Sequence, residues 1–126
     1  MPAPLRRAEP AAVAAALELL TTGAASPDDL RLLTKHFLAV LGERAPGRSV
    51  EVRIPPYAAA QVVAGVRHAR GTPPAVVEMD AATWVALATG RLSWAEAEDS
   101  GRVLASGERA DLAPYLPLTG PAADRS

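Results

Sequence analysis

The stretch VVEMDAATWVALATGRLSWAEAEDSGRVLASGERADLAPYLPL, Val76–Leu118, decides the fold. It opens in a strand, Ala75–Met79, whose apolar and β-branched residues suit a buried sheet. Asp80 then stands as an N-cap, with a carboxylate short enough to accept from an amide of the first helical turn. The helix it opens runs over about Ala81–Thr89, buries Trp84, Leu87 and Ala88, and is closed by Gly90. Ser93 with Glu96 three residues later is a capping box that starts a second short helix ending near Ser100 and Gly101. Arg102–Ser106 reads as the last strand and Gly107 as its turn. Asp111 caps a short terminal helix carrying Leu112, Tyr115 and Leu116.

Upstream of that block, Val13, Leu17 and Leu20 fall at i, i+4 and i+7 from Pro10 to Leu20, a helix with one modest apolar face, stopped by Gly23. Ser26 reads as the N-cap of a second helix, with Pro27 at its first position and Asp28 and Asp29 near the positive end of its dipole. Leu30, Leu33, Phe37 and Leu41 form its buried stripe, and Gly42 is placed to end it. Ser49–Ile54 alternates, with Val50, Val52 and Ile54 on one side and Glu51 and Arg53 on the other, as a half-buried strand does. Pro55 and Pro56 end it. The apolar run Ala58–Val66 fits a strand or a short helix, and the reading taken is a strand. Arg67–Pro74 contains a glycine and two prolines and is a loop. The element order predicts an α+β domain: a mainly antiparallel sheet with helices covering one face.

The chain has 126 residues, 49% of them hydrophobic, with a net charge of −1 and no cysteine. One domain fits this length and buries an ordinary core without staples. Residues 1–9 read as a flexible segment, 10–118 as the domain and 119–126 as a flexible tail. Disulfides, thiolate metal sites and thiol nucleophiles are excluded. The near-neutral charge argues against nucleic acid as a partner. No run of about eighteen apolar residues occurs, so no membrane span is expected, and with no signal peptide at Met1–Pro10 the location read is cytoplasmic.

Catalytic patterns are weak. Glu78, Asp80, Glu96, Glu98 and Asp99 are accounted for as caps or exposed faces, and no G-x-S-x-G occurs. Two distant histidines give no metal-ligand spacing. His36, beside Phe37 in the second helix, reads as a boundary histidine. Arg67, His68 and Arg70 beside Gly71 and Thr72 form the tightest polar cluster. They are either a solvated loop or a seat for a carboxylate or phosphate. Trp84 and Trp94 are core or boundary residues.

The same segment resembles the C-terminal half of the sterol carrier protein type two fold. It shares an acidic residue opening a helix that ends in T-G-[KR]-L, here Thr89–Leu92, and then S-G-x-[VL]-x-[AV]-x-G, here Ser100–Gly107. The bacterial, mostly actinobacterial, branch is similar also at V-E-V-R-I-P-P-Y (Val50–Tyr57) and R-G-T-P-P (Arg70–Pro74), so the likeness spans about residues 49–118. The resemblance implies a sheet of about five strands and an apolar tunnel between sheet and helices, which in some relatives holds sterols, fatty acids or fatty acyl-CoA. It implies no catalytic residue, no metal and no cofactor. The expectation is a non-enzymatic carrier of an apolar small molecule or lipid, with walls from Val50, Val52, Ile54, Trp84, Leu87, Leu104, Leu112 and Leu116. Arg67, His68 and Arg70 would meet an acidic head group at the mouth. The alternative is an accessory or interaction module with a filled core, like the related domain of thiol-dependent isomerases, taking a protein partner or a second copy of itself.

Overall fold

A computed structural model describes residues 5–65, 75–107 and 110–119. Helix α1 spans Pro10–Thr21 and α2 Pro27–Arg44; strands β1 (Val50–Ile54), β2 (Ala58–Val62) and β3 (Ala75–Glu78) follow. Helices α3 (Ala81–Ala88) and α4 (Trp94–Asp99), strand β4 (Leu104–Ser106) and a 3-10 turn at Ala113–Tyr115 complete the order. The cap residues act as their sequence positions suggest. The Asp29 amide donates to Ser26 Oγ at 3.2 Å and the Ser26 amide donates to Asp29 Oδ2 at 2.8 Å, so α2 opens on a full capping box. Asp80 Oδ1 accepts from the Thr83 amide at 2.7 Å, and Ser93 and Glu96 close the second box at α4.

Among the described residues the sheet has four strands in the order β2-β1-β3-β4. The β1–β2 and β3–β4 pairs are antiparallel, but β1 and β3 run parallel, with Val50 opposite Ala75 and Val52 opposite Val77. The expected sheet of about five mainly antiparallel strands is thus corrected to a mixed sheet of four. The physical reason lies in the order of the strands: antiparallel β2 ends with Val62 opposite Val50, and β3 starts with Ala75 opposite the same Val50 on the other side of β1, so the two central strands share a direction. A tight hairpin after β2 would instead have paired β3 with β2. Val50, Val52, Ile54, Val62 and Val77 are fully buried on one face, under the helices. Arg53, Ala59 and Gln61 are exposed on the other, so helices do cover one face.

Four boundaries differ from the sequence reading, the first being the end of β2, which stops at Val62 within the expected run Ala58–Val66. Gly42 does not stop α2, because it keeps out of the left-handed region, and the helix continues to Arg44 before ending at Ala45. The terminal helix is a single 3-10 turn, since Pro114 and Pro117 each remove an amide donor. The last strand is shorter than Arg102–Ser106. Within the core, Trp84 Nε1 donates to the Thr34 carbonyl at 3.3 Å, joining α3 to α2. The C-terminal segment is tied back by the Leu118 amide on the Ala88 carbonyl at 2.8 Å, with Leu112 and Leu118 buried.

The exit of β2 is fixed by a close approach. The Val63 amide donates to the Ala45 carbonyl, and the Val63 carbonyl accepts from the Ser49 amide and hydroxyl. Gly47 lies against this contact with φ of 151°, and a Cβ there would fall 2.2 Å from the Val63 carbonyl carbon. Only glycine fits. The junction locks the α2–β1 connection to the end of β2 and sets the spacing between α2 and the outer strand.

Candidate functional site

The largest of three described concavities, about 870 Å³, is a groove between α2 and β2. Its helical wall is Lys35, Leu38, Ala39, Gly42 and Glu43, at i, i+3, i+4, i+7 and i+8, so one face of α2 supplies it. Its strand wall is Tyr57 and the run Ala58, Ala59, Ala60 and Gln61. The volume is within the roughly 300–1,000 Å³ of small-molecule sites. The groove exists because its walls are small: Ala39, Gly42, Ala58 and Ala60 stand where larger side chains would close it, and Ala59 borders it from the outer face of the strand.

Gly42 makes the point most sharply. A Cβ added there meets no atom within 4 Å, and its backbone does not adopt a positive φ. Neither conformation nor packing demands a glycine, and in a helix it costs about 0.5–1 kcal/mol relative to alanine. The strand alanines are likewise poor strand formers.

The rim is charged. Glu43 is paired with Arg7 at 2.9 Å, and Glu51 is paired with Arg53. Lys35 and Arg48 also line the groove and have no ion-pair partner among the described residues. The groove therefore joins an apolar trough to a rim of two cations, Lys35 and Arg48, and two carboxylates, Glu43 and Glu51, that are paired with other arginines. Arg31 stands 5.8 Å from the centre of the Tyr57 ring, holding that aromatic at the trough's end.

The N-terminal segment closes one side. Leu5 lines the groove, the Ala8 amide donates to His36 Nδ1 at 3.0 Å, and Arg7 reaches Glu43. His36 Nδ1 must be unprotonated to accept that bond. Burial holds the imidazole below its usual pKa, and the Arg7 guanidinium adds to the effect, while Glu43 opposes it. His36 is thus the half-buried boundary histidine that the sequence suggests, with a defined partner.

The residues expected as tunnel walls lie elsewhere. Val50, Val52, Ile54, Trp84, Leu87 and Leu112 are buried within one packed core, and none lines the three described cavities. Leu116 is half-buried against that core. Leu104 is 66% exposed, in a strand β4 whose three residues are all exposed, and borders a small hollow beside Met79 rather than the core. Arg67, His68 and Arg70 lie outside the described residues. Reading the sequence by its large apolar residues missed the groove, whose one local signal was an Ala58–Ala60 run inside a strand.

Two smaller hollows are present. One of about 420 Å³ lies between α1 and α3, over Leu17, Leu20, Val85 and Ala86, with Arg91 at its edge donating to Thr21 Oγ1 at 2.6 Å. The other, about 320 Å³, lies beside Met79, Asp80, Arg102 and Leu104. Among the described residues no group of three or more His, Asp or Glu could hold a metal ion, and no helix is long and apolar enough to cross a membrane.

A family model described as "Bacterial SCP ortholog" matches residues 26–118, from the N-cap of α2 to the buried Leu118. The match includes both walls of the groove and leaves out α1 and the N-terminal segment. No curated protein matches the chain.

Proposed function

From a chain that belongs to the bacterial sterol carrier protein family, we propose a non-enzymatic carrier of one apolar chain with an acidic head group, of the fatty acid or fatty acyl-CoA class. The observation that carries this reading is the 870 Å³ groove between α2 and β2, with small apolar side chains on both walls and Lys35, Arg48, Glu43 and Glu51 at its rim. The tail would lie between Leu38, Ala39 and Gly42 on one side and Ala58–Ala60 on the other. The carboxylate or phosphate would sit at the two cations, with Arg67, His68 and Arg70 as further candidates for head-group contact.

The site proposed is at the edge of the sheet rather than in its middle. Entry between Val50, Val52 and Ile54 below and Trp84, Leu87 and Leu112 above would separate side chains that are already packed. These residues serve the groove as its rigid backing. Moving about 300 Å² of apolar ligand surface out of water is worth roughly 7 kcal/mol before the costs of association. Those costs leave micromolar affinity or weaker, which suits a carrier that must release its load.

The test is native mass spectrometry with organic extraction of the purified protein, followed by titration with hexadecanoate and its neutral alcohol. Lys35→Ala with Arg48→Ala should weaken the acid by about ten-fold or more and leave the alcohol unchanged. No binding of either compound, with no extracted lipid, refutes the carrier. The accessory-module reading would rest on exposed Leu104, and single exposed leucines are ordinary on monomer surfaces.

A further inference from the structure

We propose that residues 5–9 are a strap that forms one wall of the groove and is released when His36 is protonated. The inference rests on the carrier reading for its consequence but not for its geometry. Three contacts define the strap: Leu5 against the groove, Arg7 on Glu43, and the Ala8 amide on His36 Nδ1 at 3.0 Å. His36 and Glu43 are seven residues apart on α2, two turns along one face, so the strap lies along the helix beside the ligand trough. This wall comes from outside the matched family region, which begins at residue 26.

The acceptor is what makes the strap switchable. Neutral His36 presents a lone pair at Nδ1 to the Ala8 N–H. The imidazolium presents an N–H there instead, so two donors face each other and the bond is lost. A second positive charge also appears beside Arg7. The charged groups acting on His36 are Arg7 on the strap and Glu43 on its own helix; Arg7 opposes protonation and Glu43 favours it. Burial adds to the opposition, so the closed strap holds the imidazole below its usual range.

The sign follows. With the strap open, His36 returns toward the ordinary value near 6.5 and binds its proton more readily than when closed. Closure is therefore fully favoured above that value and weakens as pH falls, by up to about ten-fold per pH unit until the closed-state pKa is passed. Release would remove Leu5 from the groove and speed ligand exit under acid conditions.

Two-dimensional NMR of the full chain across pH 7.5 to 5 tests the strap without ligand, following the Ala8 amide and the His36 ring; His36→Gln identifies the ring signal among the two histidines. The expected result is one shared midpoint below 6.5 for both signals. In His36→Gln, whose side-chain carbonyl can accept the same bond, the Ala8 shift should stay flat; in His36→Ala it should hold the released value at all pH. An Ala8 signal that stays still while His36 titrates, or one that moves equally in His36→Gln, overturns the strap. With a fluorescent C18 fatty acid as probe, dissociation should be several-fold faster at pH 5.5 than at 7.5 in the parent and unchanged in His36→Gln. Equal acceleration in both refutes the regulation. No probe binding at any pH refutes the carrier reading and its regulation, while the Ala8 signal decides the strap separately.

Discussion

Replacing Gly42 separates what the groove costs from what it does. The residue lies in the last turn of α2, keeps out of the left-handed region, and has open space where a Cβ would stand. Gly42→Ala removes backbone entropy from the unfolded chain and should stabilise the protein by about 0.5–1 kcal/mol. With an unfolding entropy of about 2.1 cal/mol/K per residue over 126 residues, Tm should rise by about 2–4 °C. Gly42→Leu extends the side chain into the trough. A leucine side chain displaces about as many methylenes as it contributes, at about 0.8 kcal/mol each, so a bound acyl chain should lose about 3 kcal/mol, on the order of 100-fold in Kd. The assay is thermal unfolding of both variants alongside titration with a fluorescent fatty acid. If Gly42→Ala destabilises, the glycine is structural and the reasoning fails. If Gly42→Leu folds and binds like the parent, the groove between α2 and β2 is not the site.

Other substitutions probe the frame that holds the groove. Thr34 is fully buried and its hydroxyl has no partner among the described residues, so Thr34→Val should stabilise by about 1 kcal/mol in denaturant unfolding. Trp84→Ala removes a fully buried ring and its bond to the Thr34 carbonyl, and should cost about 3–5 kcal/mol by the same measurement. Gly47→Ala places a methyl 2.2 Å from the Val63 carbonyl carbon, and should cost more than about 2 kcal/mol while shifting the α2–β2 spacing. Ser93→Ala removes the hydroxyl that caps α4, and with it the larger of the two Ser93 hydrogen bonds that hold the Glu96 carboxyl below the ordinary carboxylate range, while the backbone amide bond stays; stability should fall by about 1 kcal/mol through the lost cap.

The elements that one short segment specifies were legible. Ser26, Asp80 and Ser93 mark helix starts because a cap acts on amides two or three residues away, and the Val50–Ile54 alternation places a strand by itself. What failed depends on partners distant in the chain. Whether β3 pairs with β1 or with β2 decides whether its ladder is parallel or antiparallel, and no local pattern reports that choice. Leu104 reads as a wall because it sits in an apolar run, whereas β4 is an edge strand whose three residues are all exposed. Gly42 looked like a helix stop because that is the common use of glycine, and only the neighbouring space shows another use.

The candidate site was hidden for a related reason. A filled core announces itself through large apolar residues, and Trp84, Leu87, Val50, Val52, Ile54 and Leu112 are indeed buried. A groove is defined by side chains that are small on both of its walls, and Ala39 with Gly42 is separated in sequence from Ala58–Ala60. Each group alone reads as a weak helix or a weak strand. Together, across the spacing that Gly47 and Val63 fix, they leave a trough whose floor is rigid because the core behind it is full. Such a site binds by pre-formed shape and yields its ligand without opening the sheet. The movable part is the N-terminal strap, held by one surface ion pair worth about 0.2–1 kcal/mol, one hydrogen bond to an imidazole and the half-buried Leu5 against the groove. Contacts this weak let a single proton decide whether the wall is present.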